Sequence, residues 1–140
     1  MKRTIQIFLA LLLAVSCSSS RVTKDKDFYI VFGSCFKEDT ISLSVNNVIA
    51  VDKSILNSDF STGTVLNVSV EYRSGQLITR MDKGQKTAVL QIDNEIQLSI
   101  IKNGQEYNSA LNLSKGRYIL IEGCESTVKT KQFKKKMIFE

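Results

Sequence analysis

Chemistry in this chain must come from carboxylates, cysteines and lysines, because none of its 140 residues is histidine. That absence removes the commonest general base and the commonest metal ligand, and with them any Ser/His or Cys/His nucleophile pair. Seven acids are candidates for paired-carboxylate work on glycans: Asp39, Asp52, Asp59, Glu71, Asp93, Glu95 and Glu122. Such a pair needs two carboxyl groups roughly 5 to 10 Å apart across a cleft. All seven stand in turn-like or solvent-face contexts, so no catalytic residue is expected. Asp93-Asn94-Glu95 offers oxygen ligands for weak calcium binding, but it reads better as a polar turn, and neither metal nor cofactor is expected. The chain has no Gly-x-Ser-x-Gly, no P-loop, no Gly-x-Gly-x-x-Gly and no Cys-x-x-Cys.

The remaining concentration of charge is basic. Lys129, Lys131, Lys134, Lys135 and Lys136 alternate with Gln132, Phe133 and Phe139. One reading is a patch for anionic headgroups, lipopolysaccharide or an acidic partner. The other, favoured and compatible with the first, is an edge strand guarded by lysines against edge-to-edge aggregation. A further short pattern, Asp39-Thr40-Ile41, resembles the O-glycosylation acceptor of Bacteroidetes periplasmic proteins.

The elements that must position these groups have the period of strands. Phe28 to Phe32 is a dense apolar run closed by Gly33, the pattern of a strand buried on both faces. Ile41, Leu43 and Val45 alternate with serines and asparagine, and Asn46-Asn47 offers a two-residue turn into Val48 to Val51. Further strands are expected at 65–72, 76–81, 86–92, 96–102, 107–113, 117–121 and 128–139, separated by Ser74-Gly75, Asp82-Lys83-Gly84, Asn103-Gly104 and Ser114-Lys115-Gly116. Only Asp52 to Phe60 breaks the alternation, and it is the one stretch that allows a helical turn. Eight to ten short antiparallel strands at this spacing predict an all-β fold, a single β-sandwich of immunoglobulin-like or transthyretin-like layout, with a jelly roll or small barrel as alternatives. The Cys35–Cys124 spacing and the lack of tryptophan leave a true immunoglobulin domain unsupported.

The first residues address the chain. Lys2 and Arg3 precede an apolar run from Ile5 to Val15, followed by Ser16-Cys17-Ser18. The run is too short for a membrane-spanning helix, which needs about 18 or more apolar residues, and has the order of a secretory signal. Ala14-Val15-Ser16-Cys17 resembles the bacterial lipobox, in the relaxed form found in Bacteroidetes-like bacteria, with alanine where leucine is commonest. The resemblance implies a signal peptide over 1–16, lipidation of Cys17 and a tether over 17–27 ahead of a domain at 28–140. It also implies an anchor in the outer membrane, on a side left open. Three acyl chains would hold such a protein durably, because each buried methylene contributes about 0.8 kcal/mol.

Loss of Lys2 and Arg3 leaves 17 basic against 14 acidic residues, a mature charge of +3. That is too mild to argue for nucleic acid. With Cys17 lipidated, Cys35 and Cys124 form an even pair in an oxidising compartment, and a disulfide is expected. Together these features point to a lipid-anchored envelope domain acting as a non-catalytic binding or interaction module, with envelope proteins or glycans as partners. A small inhibitor of a glycan-degrading enzyme, resembling the lysozyme-inhibitor lipoproteins, is the alternative. A carboxylate-dependent glycan hydrolase comes third.

Overall fold

The computed structural model describes residues 26–138. Cys17, the signal peptide 1–16, most of the tether 17–27 and Phe139 lie outside them. Alternation of apolar and polar side chains gives ten strands among the described residues: β1 (Phe28–Phe32), β2 (Asp39–Val45), β3 (Val48–Leu56), β4 (Val68–Arg73), β5 (Gln76–Met81), β6 (Gly84–Val89), β7 (Glu95–Lys102), β8 (Gln105–Asn112), β9 (Tyr118–Glu122) and β10 (Lys129–Phe133). They form a six-stranded sheet in the order β10-β9-β1-β4-β5-β6 and a four-stranded sheet in the order β3-β2-β7-β8. The fold is an all-β sandwich.

Successive residues of a strand point to opposite faces, and that parity builds the core. Phe28, Ile30 and Phe32 of β1, Ile41, Leu43 and Val45 of β2, Ile96, Leu98 and Ile100 of β7, and Ile119 and Ile121 of β9 meet between the sheets, all 1% exposed or less. Tyr29 and Val31, on the other face of β1, are half-buried rather than buried, so the apolar run is not enclosed on both sides. The hairpin signals hold: Asn46, Asn47, Asn103 and Gly104 all take positive φ, which two-residue turns require and which Asn and Gly accept.

Two further expectations need correction. No helical turn forms at Asp52 to Phe60. Strand β3 continues to Leu56 through a bulge at Asp52-Lys53, where Lys53 has φ 44°, and an extra residue at a bulge shifts the alternation. The pairings are not all antiparallel either, because β1 runs parallel to β9 from Tyr29↔Tyr118 to Phe32↔Ile121. The chain leaves the four-stranded sheet after β8 and crosses over to fill the place beside β1, entering in the same direction.

The strand directions sort the loops onto two ends. At the end where the chain enters, Lys26 donates to the Ile92 carbonyl, and Asp27 accepts from the Ser74 amide. The turns 46–47, 74–75, 90–94 and 113–117 and the tail 134–138 lie there with them. The opposite end collects the segments 33–38, 57–67, 82–83, 103–104 and 123–128.

Candidate binding surface at the far loop end

Three of the far-end segments are tied together. Cys35 and Cys124 are joined by a disulfide, with Cα atoms 4.6 Å apart, so 33–38 is bonded covalently to 123–128 across 89 residues of chain. Beneath the bridge lies Lys102, which shares the inward parity of Ile96, Leu98 and Ile100 but ends in an ammonium group. That group donates to the Gly123 carbonyl at 2.5 Å and the Glu125 carbonyl at 3.2 Å, and sits 3.5 Å from the Asp39 carboxylate. It also lies 5.8 Å from the centre of the Phe36 ring, close enough for a cation–π attraction. Asp39 in turn accepts from the Asn103 side-chain amide and the Lys37 backbone amide. A buried charge persists only when its partners are this complete, so the cluster locks the β7–β8 turn to both disulfide-linked loops.

The segment 57–67 is fastened to the same frame. The Ser58 hydroxyl donates to the Gly33 carbonyl and accepts from the Phe36 amide, while the Val65 amide donates to the Phe32 carbonyl. Its tip is organised by Asp59, whose carboxylate accepts from the Ser61 and Thr62 amides and from the Ser61 hydroxyl. These hydrogen bonds, the Ser61 hydroxyl foremost, hold the carboxyl below its ordinary value. Phe60, carried between them, is fully exposed. Leu66 (71% exposed) borders the same hollow of about 410 Å³, and Ile55 (62%) lies near the end of β3. Phe60 is thus a large apolar side chain in water on a loop held by several hydrogen bonds, the kind of side chain that anchors interfaces.

The seven candidate acids stand in different settings. Asp39 is engaged by Lys102 and Asn103, Asp59 by its own loop, and Glu122 by Lys131 at 2.7 Å. Asp93 is fully exposed and 3.8 Å from Lys26, and Asp52 and Glu95 are exposed on β3 and β7. Glu71, on the outer face of the six-stranded sheet, is buried (5% exposed) and ion-paired with Arg80 at 2.6 Å and Arg73 at 3.2 Å. Burial pushes its pKa up, but hydrogen bonds from Arg80 and Tyr29 and the charges of Arg80 and Arg73 outweigh this and hold it below 4.5. Among the described residues, no three or more Asp, Glu, Cys or His side chains are grouped to hold a metal ion. In the Asp39-Thr40-Ile41 pattern, Thr40 is exposed but Asp39 is buried under its partners.

The basic stretch divides in the structure. Strand β10 is an edge strand, as the lysine pattern indicates, with Thr130 and Gln132 turned inward. Thr130 shares a hydrogen bond with Ser109 of β8, and Gln132 donates to the Asn112 and Gly116 carbonyls, lacing the two sheets along this side. Lys129 and Lys131 lie along the strand, Lys131 paired with Glu122. Lys134, Lys135 and Lys136 follow it at the chain-entering end, exposed. Lys136 and Met137 then roof a cavity of about 320 Å³ over Tyr29, Val31 and Tyr118, whose two tyrosine rings stack at 5.4 Å.

No family model matches the chain, and no curated protein or solved structure is significantly similar to it. Sequence reasoning missed Phe60, Leu66 and Lys102. Parity marks Lys102 as inward, and the turn-forming Asp59, Ser61, Thr62 and Gly63 around Phe60 mark it as a loop tip, since such residues bond their own backbone.

Proposed function

We propose that the protein is a lipid-anchored domain of the bacterial outer membrane that works by binding, without catalysis, and that the far loop end is its binding surface. The anchor is Cys17 at the lipobox-like Ala14-Val15-Ser16-Cys17. The observation that carries the reading is the opposition of the two ends. The chain enters at Lys26 at one end, while the other presents the exposed Phe60 on a loop fastened to a disulfide-tied frame. A tether at the first end leaves the second free to meet a partner, and a loop already ordered loses less entropy on binding.

Site-specific photocrosslinking in the native envelope tests this. A photoreactive residue at position 60 is expected to give discrete adducts with an envelope protein or glycan, whereas one at Ile49, 64% exposed on the four-stranded sheet, gives none. Equal labelling at both positions, or none at 60, overturns the assignment of the surface.

One observation favours a narrower version, an inhibitor of a basic glycan-degrading enzyme. The far-end segments carry Glu38, Asp59, Asp82 and Glu125 against Lys37 and Lys83, with Lys129 at the adjoining start of β10, so these loops are mildly acidic although the mature chain is basic. Inhibition of a purified cationic muramidase at micromolar concentrations, lost in Phe60→Ala, would establish it.

A further inference from the structure

We infer that the chain-entering end is a docking surface for anionic lipid headgroups, holding the domain upright on the membrane that carries it; the upright pose rests on the anchor proposed above. The two ends differ in charge. Six cations, Lys26, Lys115, Arg117, Lys134, Lys135 and Lys136, stand in the segments of the entering end against two acids, Asp27 and Asp93. In the far-end segments four acids stand against two lysines, with Lys129 at the adjoining start of β10. A molecule polarised in this way is turned by a negative surface so that its basic end faces it.

The cations are gathered into one corner by backbone packing. Gly116 lies so close to Phe133 that a Cβ there would come within 2.7 Å of the Phe133 backbone. The Gln132 side-chain amide donates to the Gly116 carbonyl at 2.9 Å. The turn bearing Lys115 is thereby pressed against the end of β10, where Lys134, Lys135 and Lys136 begin. All four lysines are exposed. Apolar side chains accompany them: Ile138 is 82% exposed, Phe133 is partly exposed, and Met137 lies over Tyr29 and Tyr118. Long cationic stems beside isoleucine and aromatic rings suit the boundary between headgroups and acyl chains. An acidic protein would be met by the charges but would leave Ile138 unexplained. Each lysine near an anionic surface raises the bound population about fivefold, so four give a factor on the order of several hundred at physiological salt.

The test uses the full processed protein, purified from its own membrane, on vesicles of phosphatidylcholine alone or with phosphatidylglycerol. Flotation reports attachment, and timed acylation of lysines read by peptide mass spectrometry reports orientation. On the anionic vesicles, Lys115, Lys134, Lys135 and Lys136 are expected to react about tenfold more slowly relative to Lys37 and Lys83, because only a docked corner is shielded. The difference should vanish in 0.5 M salt and on neutral vesicles. Flotation on both vesicles with equal labelling overturns the docking and leaves the anchor standing. Flotation only on anionic vesicles, with protection, upholds the docking and overturns the anchor; flotation on neither overturns both. Equal protection on both vesicles, or protection only in whole envelopes, overturns the headgroup as the partner.

Discussion

Replacement of Lys102 by methionine probes the frame beneath the far loops. The stem volume is kept, so little packing is lost, but the ammonium that joins Asp39, Gly123 and Glu125 disappears. Breaking a buried ion pair by removing one partner costs about 3 to 5 kcal/mol, mostly because the other charge stays buried and uncompensated. Here Asp39 keeps the Asn103 and Lys37 donors, and the exposed Glu125 can turn its carbonyl to water, which puts the expected loss at the lower end. About 3 kcal/mol corresponds to a fall of about 12 °C in Tm for a domain of this size. Urea unfolding of Lys102→Met, Asp39→Asn and the double variant gives the decisive comparison. Because Asp39→Asn removes the stranded charge, the double variant should be less destabilised than the two singles together, by about 1 to 3 kcal/mol. A loss below about 1 kcal/mol for Lys102→Met, or strict additivity, would refute the account of the cluster as a coupled lock.

Three other perturbations follow from the same structure. Reduction of Cys35–Cys124, or its replacement by serines, should destabilise by about 4 to 5 kcal/mol, because the 89-residue separation removes much freedom from the unfolded chain; equal melting with and without reductant would contradict this. Glu71 has a folded pKa below its ordinary 4.5, so its contribution is complete above that value and lost as pH falls through the lower folded pKa. Glu71→Gln should therefore flatten the acid limb of a stability-versus-pH curve, and an unchanged limb would refute the attribution. Gly123→Ala would place a Cβ 2.5 Å from the Phe36 ring and should cost about 1 to 3 kcal/mol through overpacking, read as a lower urea midpoint.

How much of this was legible beforehand depends on the distance over which each feature is encoded. Strands β2 and β7 are written in alternating residues, and the Asn46-Asn47 and Asn103-Gly104 turns in residues that tolerate positive φ, so local reading finds them. The parallel place of β9 beside β1 is decided by packing between segments some 90 positions apart, and no local period reports it. Strand β3 reads short in sequence because the Lys53 bulge displaces the pattern by a residue and mimics a helical turn. The disulfide followed from an even cysteine count in an oxidising compartment. Phe60 ends the stretch that breaks the alternation, and only the bonds of Asp59, Ser58 and Val65 reveal a loop turned outward there. The lysine stretch reads in sequence as a single edge strand that is compatible with a basic patch, whereas in the fold Glu122 takes Lys131 and the end of β10 carries Lys134, Lys135 and Lys136 to the opposite end of the sandwich from Lys129.

The account turns on a domain held by lipid at one end so that the other is free to bind. Intact mass of the protein purified from its native membrane, with and without reduction and alkylation, measures that most directly. The predicted result is a chain beginning at Cys17, heavier by its acyl groups, that gains two alkyl groups only after reduction. A chain whose Cys17 carries no lipid and alkylates without reduction would contradict it.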